Sequence, residues 1–245
     1  LLGLDDVNGA SSAALGDYAE LVSAADPRAV QKQKYFRSFT DGAVSATHLL
    51  DLLAVGTVVS DRELGPPLEP LAELDGLHIY RNPGRLPRFF LVSRVEGYAT
   101  PEEGRRRLLS PAFDPASTAL LAGPLPALVP TSDGGAPEVV VERFADAQIE
   151  LRVRASQDSV LVTTEIAYPG WETWVDGESV ETRLVDLAFR GVVVPRGEHR
   201  IRMAYVARTF YAGLVVSFVS LVLVGWIAWL PAPAAPGAGR EAQGG

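Results

Sequence analysis

In Gln148-Ile149-Glu150-Leu151-Arg152-Val153-Arg154, apolar and charged side chains alternate without a break. Period two belongs to an extended strand with one face in a core and the other in water. The pattern returns at the end of the same region, where Ile201, Met203 and Tyr205 alternate with Arg200, Arg202 and Ala204. Residues 160–166, 171–175, 180–185 and 191–194 between them read as further strands. Asp176-Gly177 suits a two-residue type I′ turn, which needs positive φ at both central positions, and Arg196-Gly197 turns the next corner. Residues 138–206 are therefore expected to form an antiparallel β-sandwich.

Working outward toward the C-terminus, FYAGLVVSFVSLVLVGWIAWL (210–230) carries no charge. As a helix its 21 residues would rise about 31 Å, against a hydrocarbon core of about 30 Å. Phe210 and Tyr211 at one end and Trp226 and Trp229 at the other suit headgroup-level anchors. Residues 207–230 are expected to be a transmembrane helix and the lipid bilayer a partner. A buried core helix is the rival reading, though such helices rarely stay apolar for so long. The tail, 231–245, is too poor in apolar side chains to fold and is expected to be disordered.

Toward the N-terminus the signals mix. Ser11 or Ser12 fits the cap of a helix through Val22, and residues 46–53 suit another, followed by a strand at 55–59. Residues 77–80 and 88–95 read as strands separated by the turn residues Asn82, Pro83 and Gly84. Pro101 starts a short helix through Leu109. Pro, Gly and Ala crowd residues 111–137, which suggests a linker. The expected fold is thus an α+β N-terminal lobe (1–110), a linker (111–137), an all-β antiparallel sandwich (138–206) and one transmembrane α-helix (207–230).

Composition narrows the chemistry. The chain has 245 residues, with 22 Lys and Arg against 30 Asp and Glu. No basic stripe suits nucleic acid. Arg105, Arg106 and Arg107 follow Glu102 and Glu103 and read as a solvated helix face. Without cysteine there is no disulfide, thiolate ligand or cysteine nucleophile. The chain starts at Leu1 and its one methionine is Met203, so it reads as a fragment or processed chain, with no signal peptide in residues 1–25.

Tyr168-Pro169-Gly170-Trp171, Val175-Asp176-Gly177, Gly191-Val192-Val193-Val194-Pro195 and Gly197-Glu198-His199 follow one another before the strand ending at Tyr205. Upstream stand Tyr80-Arg81-Asn82-Pro83 with Leu86-Pro87-Arg88-Phe89, and more loosely Asn8-Gly9 and Tyr18. This ordered set, ahead of a terminal apolar run, resembles the C-terminal region of the YfhO family of bacterial multi-pass membrane proteins. Ala10 departs from the pattern, which has an aromatic there. The resemblance implies a many-span N-terminal body of the GT-C type, absent from these residues. That body looks like a glycosyltransferase moving sugar from a polyprenyl-phosphate carrier to a cell-envelope acceptor. It also implies an extracytoplasmic placement for the soluble part and puts the catalytic acids elsewhere, so no residue of this chain inherits a catalytic role. Arg200, Arg202 and Arg208 before the apolar run, against Arg240 after it, would by themselves point to the cytoplasm. That rule weakens for large translocated domains, and the resemblance is followed.

Among residues able to carry chemistry, His48, His78 and His199 each stand alone, without the converging ligands a metal needs. No phosphate-binding glycine loop or G-x-S-x-G elbow appears in a fitting context, and no cofactor or metal is expected. Adjacent acids such as Glu102-Glu103 and Asp5-Asp6 do not face each other across a bond. In a strand from Trp171, period two puts Trp171, Thr173 and Val175 inward and Glu172, Trp174 and Asp176 outward. Trp174 between two acids suits the flat face and hydroxyl acceptors of a glycan contact, with Tyr168 a second ring; the plainer alternative is that Trp174 packs under a loop. Two functional readings remain open. One is the C-terminal domain and anchor of a polyprenyl-phosphate-sugar-dependent transferase. The other is a non-enzymatic membrane-anchored module that binds glycan or a partner protein.

Overall fold

A computed structural model describes residues 47–130 and 135–229. The helix expected from Ser11 or Ser12, the segment around Asn8-Gly9 and Tyr18, and the tail 231–245 lie outside the described residues. Two compact units divide at Tyr205, and each is taken by itself.

The first unit is mostly β. A five-stranded sheet in the order β11-β10-β14-β8-β7 uses β7 (Glu138–Ala145), β8 (Gln148–Ala155), β10 (Trp171–Val175), β11 (Glu178–Val180) and β14 (Gly197–Tyr205), all antiparallel. A six-stranded sheet runs β4-β9-β13-β12-β6-β5. Its members are β4 (Phe89–Val92), β5 (Arg94–Tyr98), β6 (Thr118–Ala122), β9 (Ser159–Ile166), β12 (Arg183–Val185) and β13 (Phe189–Val194). The Asp176-Gly177 turn forms as expected, with φ of 52° and 90° and Val175 paired to Glu178.

Alternation along the strands explains how the sheets meet. Ile149, Leu151 and Val153 of β8, Val175 of β10, and Ile201 and Met203 of β14 are buried in one cluster with Phe89, Leu161, Val192 and Val194 of the six-stranded sheet. The opposite parity of the same strands, Phe90, Val92, Val160 and Val162, enters a second cluster with Leu49 and Leu52 of α1 (Thr47–Leu52) and Leu108 of α2 (Pro101–Leu108). Strand β9 is thus buried on both faces, which is why Val160-Leu161-Val162 is an unbroken apolar run.

The division expected at 111–137 differs from the observed topology. Strand β6 lies inside that stretch, and β4 and β5 from the expected first lobe share a sheet with β9, β12 and β13. The cause is long-range pairing that local pattern does not reveal: β4 is antiparallel to β9, and β5 is parallel to β6. The expected strand 88–95 breaks at Ser93, since β4 and β5 sit on opposite edges of the sheet. One residue between them requires the sheet to curl until its edges meet. The expected strand 180–185 likewise divides into β11 and β12, one in each sheet.

A small sheet, β1-β3-β2, comprises β1 (Thr57–Ser60), β2 (Glu69–Leu74) and β3 (Leu77–Arg81); β2 carries no clear strand signal in the sequence. Just after it, the Asn82 side chain donates to Asp51 Oδ1 (2.7 Å) and to the Val55 carbonyl (3.0 Å), and accepts from Gly84 N–H. Asn82 is therefore a buried staple between exposed Arg81 and Pro83. Helix α2 starts with Thr100 as its cap, whose Oγ1 accepts from Glu103 N–H, followed by Pro101 at the first turn.

The second unit holds α3 (Arg208–Trp229), 22 residues with no acidic or basic side chain after Arg208. Its described apolar side chains are exposed. Among the described residues no helix is long and apolar enough to cross a membrane. In α3 the side chains described without a break are those of 210–226.

Candidate functional site

Strand β10 divides the aromatic residues between two places. On the outward face of the five-stranded sheet, Trp174 lies across from Arg202, Arg202 from Glu150, and Glu150 from Arg143. The Arg202 guanidinium stands 5.2 Å from the centre of the Trp174 ring. Glu172 shares this face, while Thr173 and Val175 point inward and are buried. The face is a mosaic of both signs: Arg152 pairs with Glu142 (2.7 Å) and Arg154 with Glu138 (2.5 Å). A half-buried indole with polar neighbours can stack on a sugar ring while hydrogen-bonding groups fix its hydroxyls.

Asp176 is engaged elsewhere. Its Oδ1 accepts from Arg200 N–H (2.8 Å), and its Oδ2 is 2.7 Å from Nδ1 of the inward-facing His199. The Arg200 N–H first, and His199 second, hold the Asp176 carboxyl below the usual carboxylate range. His199 is thereby a locked turn partner; His48 Nε2 is 2.9 Å from the Leu108 carbonyl, and His78 lies in β3. Among the described residues no group of three His, Cys, Asp or Glu could hold a metal ion.

Tyr168 belongs to a second cluster, at the end of the sandwich where β14 finishes. Its ring lies 6.0 Å from that of Tyr205, which lies 6.1 Å from that of Trp171. Trp171 was expected in the core, with Trp174 far less covered; the structure leaves both half-buried. The physical reason is position, since Trp171 opens β10 and pairs with Tyr205 at the last rung of β14, where the sandwich runs out. Its inner face is covered by Arg190, whose guanidinium carbon is 3.7 Å from the ring centre.

Arg190 was missed in the sequence, although an arginine inside Ala188-Phe189-Arg190-Gly191-Val192 signals a buried charge needing a partner. Its side chain is 3% exposed and reaches Glu165 at 3.6 Å. Burial pushes the Arg190 guanidinium down to about 10, opposed by Glu165. Arg88 shares Glu165 at 3.4 Å and lies over the ring of Phe144, 5.0 Å from its centre. Two cations, one carboxylate and four aromatic rings therefore make one connected cluster.

The four expected glycan contacts are thus spread over three settings: Trp174 and Glu172 on the outward face, Asp176 in its turn, and Tyr168 at the sandwich end. A binding surface is what these groups can build, since none presents a nucleophile beside a base. No curated protein and no solved structure matches the chain. Residues 135–217 match a family model described as bacterial membrane protein YfhO, about a third of the chain. Over those residues, which take in β7 through β14 and the start of α3, the chain is similar to the YfhO family of bacterial membrane proteins.

Proposed function

We propose that this chain is a membrane-anchored, extracytoplasmic β-domain of a cell-envelope protein, held by α3 and acting beside a multi-span glycosyltransferase body that lies outside these residues. The observation that carries the reading is α3 itself. Its 22 residues stay uncharged beyond Arg208, and at 1.5 Å each they rise about 33 Å, near the thickness of a hydrocarbon core. Exposed apolar side chains on all sides suit lipid better than water. Phe210, Tyr211, Trp226 and Trp229 fall at its ends, as interface anchors do. The family description as a membrane protein supports the same placement.

In this reading the domain contributes binding and no catalysis. The transferred sugar would come from a polyprenyl-phosphate carrier in the absent body, and the outward face around Trp174 and Glu172 would contact the glycan. A non-enzymatic envelope module using the same face is the second reading, favoured by the lack of a nucleophile with its base among the described residues. Glu178, exposed beside the β10 turn, offers a test of placement because the chain has no cysteine. A Glu178→Cys chain in intact cells should react with a membrane-impermeant maleimide before lysis. Reaction only after lysis contradicts the extracytoplasmic placement. Turnover of a polyprenyl-phosphate sugar by the chain alone contradicts the non-catalytic role.

A further inference from the structure

We propose that the aromatic end of the β-sandwich, formed by Phe144, Tyr168 and Tyr205, rests on the headgroup layer of the bilayer, so that the domain is held at the surface by a second contact besides α3. The proposal rests on the reading of α3 as a membrane span.

The three rings are 50%, 49% and 39% exposed, which is unusual for large aromatic side chains gathered at one end of a domain. They are not loose. Tyr205 pairs in register with Trp171, and its N–H donates to the Ala147 carbonyl (3.0 Å) in the β7–β8 turn. Phe144 meets the buried Phe89 edge to face at 6.0 Å. Arg190 backs Trp171 from inside, so the patch stands on a rigid base. Tyr168 and Tyr205, each with an apolar ring and a polar hydroxyl tip, are of the kind that favours the membrane–water interface, and Phe144 adds apolar area beside them.

Chain connectivity supplies the occupant. Tyr205 precedes Arg208, the first residue of α3, by three positions; a fully extended link of that length spans at most about 11 Å. The opposite end of β14, at Gly197, lies about 27 Å away along a nine-residue strand. Charge is mixed: the partly exposed Arg88, shared with Glu165 at 3.4 Å, favours lipid phosphates, while Asp146 in the β7–β8 turn opposes it.

The absence of cysteine allows single labels to report depth. The whole chain is reconstituted in phosphatidylcholine vesicles containing phosphatidylglycerol. A bimane fluorophore is placed on Tyr168→Cys, Asp146→Cys, Arg196→Cys at the far end, or Val219→Cys inside α3. Quenching by nitroxide-bearing lipid is compared with quenching by iodide in the water. The proposal expects labels at 168 and 146 to be quenched by nitroxide lipid several-fold more than the label at 196, and to be shielded from iodide. If the label at 219 is lipid-quenched while those at 168 and 146 behave like 196, the surface contact is overturned and the span stands. If the label at 219 is itself open to iodide and untouched by nitroxide lipid, the span reading fails and takes this proposal with it.

Discussion

The guanidinium carbon of Arg190 lies over the indole of Trp171, 3.7 Å from the ring centre, at the open end of the two-sheet core. Each residue completes the other. The ring covers a buried cation, and the cation fills the space beneath a ring that the sandwich cannot enclose. Arg190 Nε and Nη1 are buried without a hydrogen-bond partner, so the stacking and the Glu165 contact carry the compensation for burying this charge.

Removing the ring should therefore hurt more than its half-burial suggests. Trp171→Ala is expected to destabilise the domain by about 2–4 kcal/mol, through lost packing and an uncovered cation. Trp174→Ala, on the outward face, should cost less than about 1 kcal/mol. Arg190→Met should be close to neutral, because an apolar side chain of similar length removes the burial cost together with the pair. Urea unfolding of the detergent-solubilised chain, followed by circular dichroism, measures all three. Equal losses for the two tryptophans would refute the assignment.

Asp186 gives the domain a pH dependence of opposite sign to that of a carboxylate held below its ordinary range, such as Asp176. It is 1% exposed at φ 49°, its Oδ1 accepts from Leu120 N–H (2.8 Å), and its Oδ2 has no partner. Burial raises its pKa from 3.8 to about 7, against the lowering effect of the Leu120 hydrogen bond. The folded state then holds a proton that the unfolded chain has released, so stability should fall as pH rises from about 4 to about 7. Asp186→Asn keeps an acceptor for Leu120 and tolerates the positive φ. It should remove this slope and raise stability at pH above about 7 relative to the unaltered chain. An unchanged slope in the variant would exclude Asp186 as its source.

Where the chain's own periodicity sets the outcome, the fold was legible. Ile149, Leu151 and Val153 point inward as their alternation requires, and the Asp176-Gly177 turn forms because those two residues tolerate its backbone. What stayed hidden was pairing between distant segments. Nothing local in Thr118–Ala122 says that it lies between Val185 and the Arg94–Tyr98 strand, so a Pro- and Ala-rich stretch reads as a linker. The binding candidates were harder still. Trp174 and Glu172 occupy the outward face that period two assigns them, but Asp176 turns to His199, and Tyr168 joins Tyr205 through a contact between separate elements.

Glycan contact, if it uses the outward face, should depend on Trp174 and not on Asp176. Trp174→Ala is expected to weaken binding of envelope glycans to the whole chain roughly tenfold, about 1.4 kcal/mol, the scale of one aromatic contact. Asp176→Asn should leave affinity nearly unchanged, since its carboxylate is committed to Arg200 N–H and His199. Titration followed by calorimetry decides between them. Unaltered affinity in the Trp174 variant would remove this face from consideration.

Membrane anchoring by α3 is the claim on which the rest stands, and Val219, in the middle of the helix, tests it. An arginine there should cost roughly 2.5–3.5 kcal/mol of insertion free energy. The measurement is the fraction of chain that stays with membranes after an alkaline wash, compared for the unaltered chain, Val219→Arg and a chain ending at Thr209. The account predicts that the unaltered chain is retained while the other two move to the supernatant; equal retention of all three, or release of the unaltered chain, would contradict it.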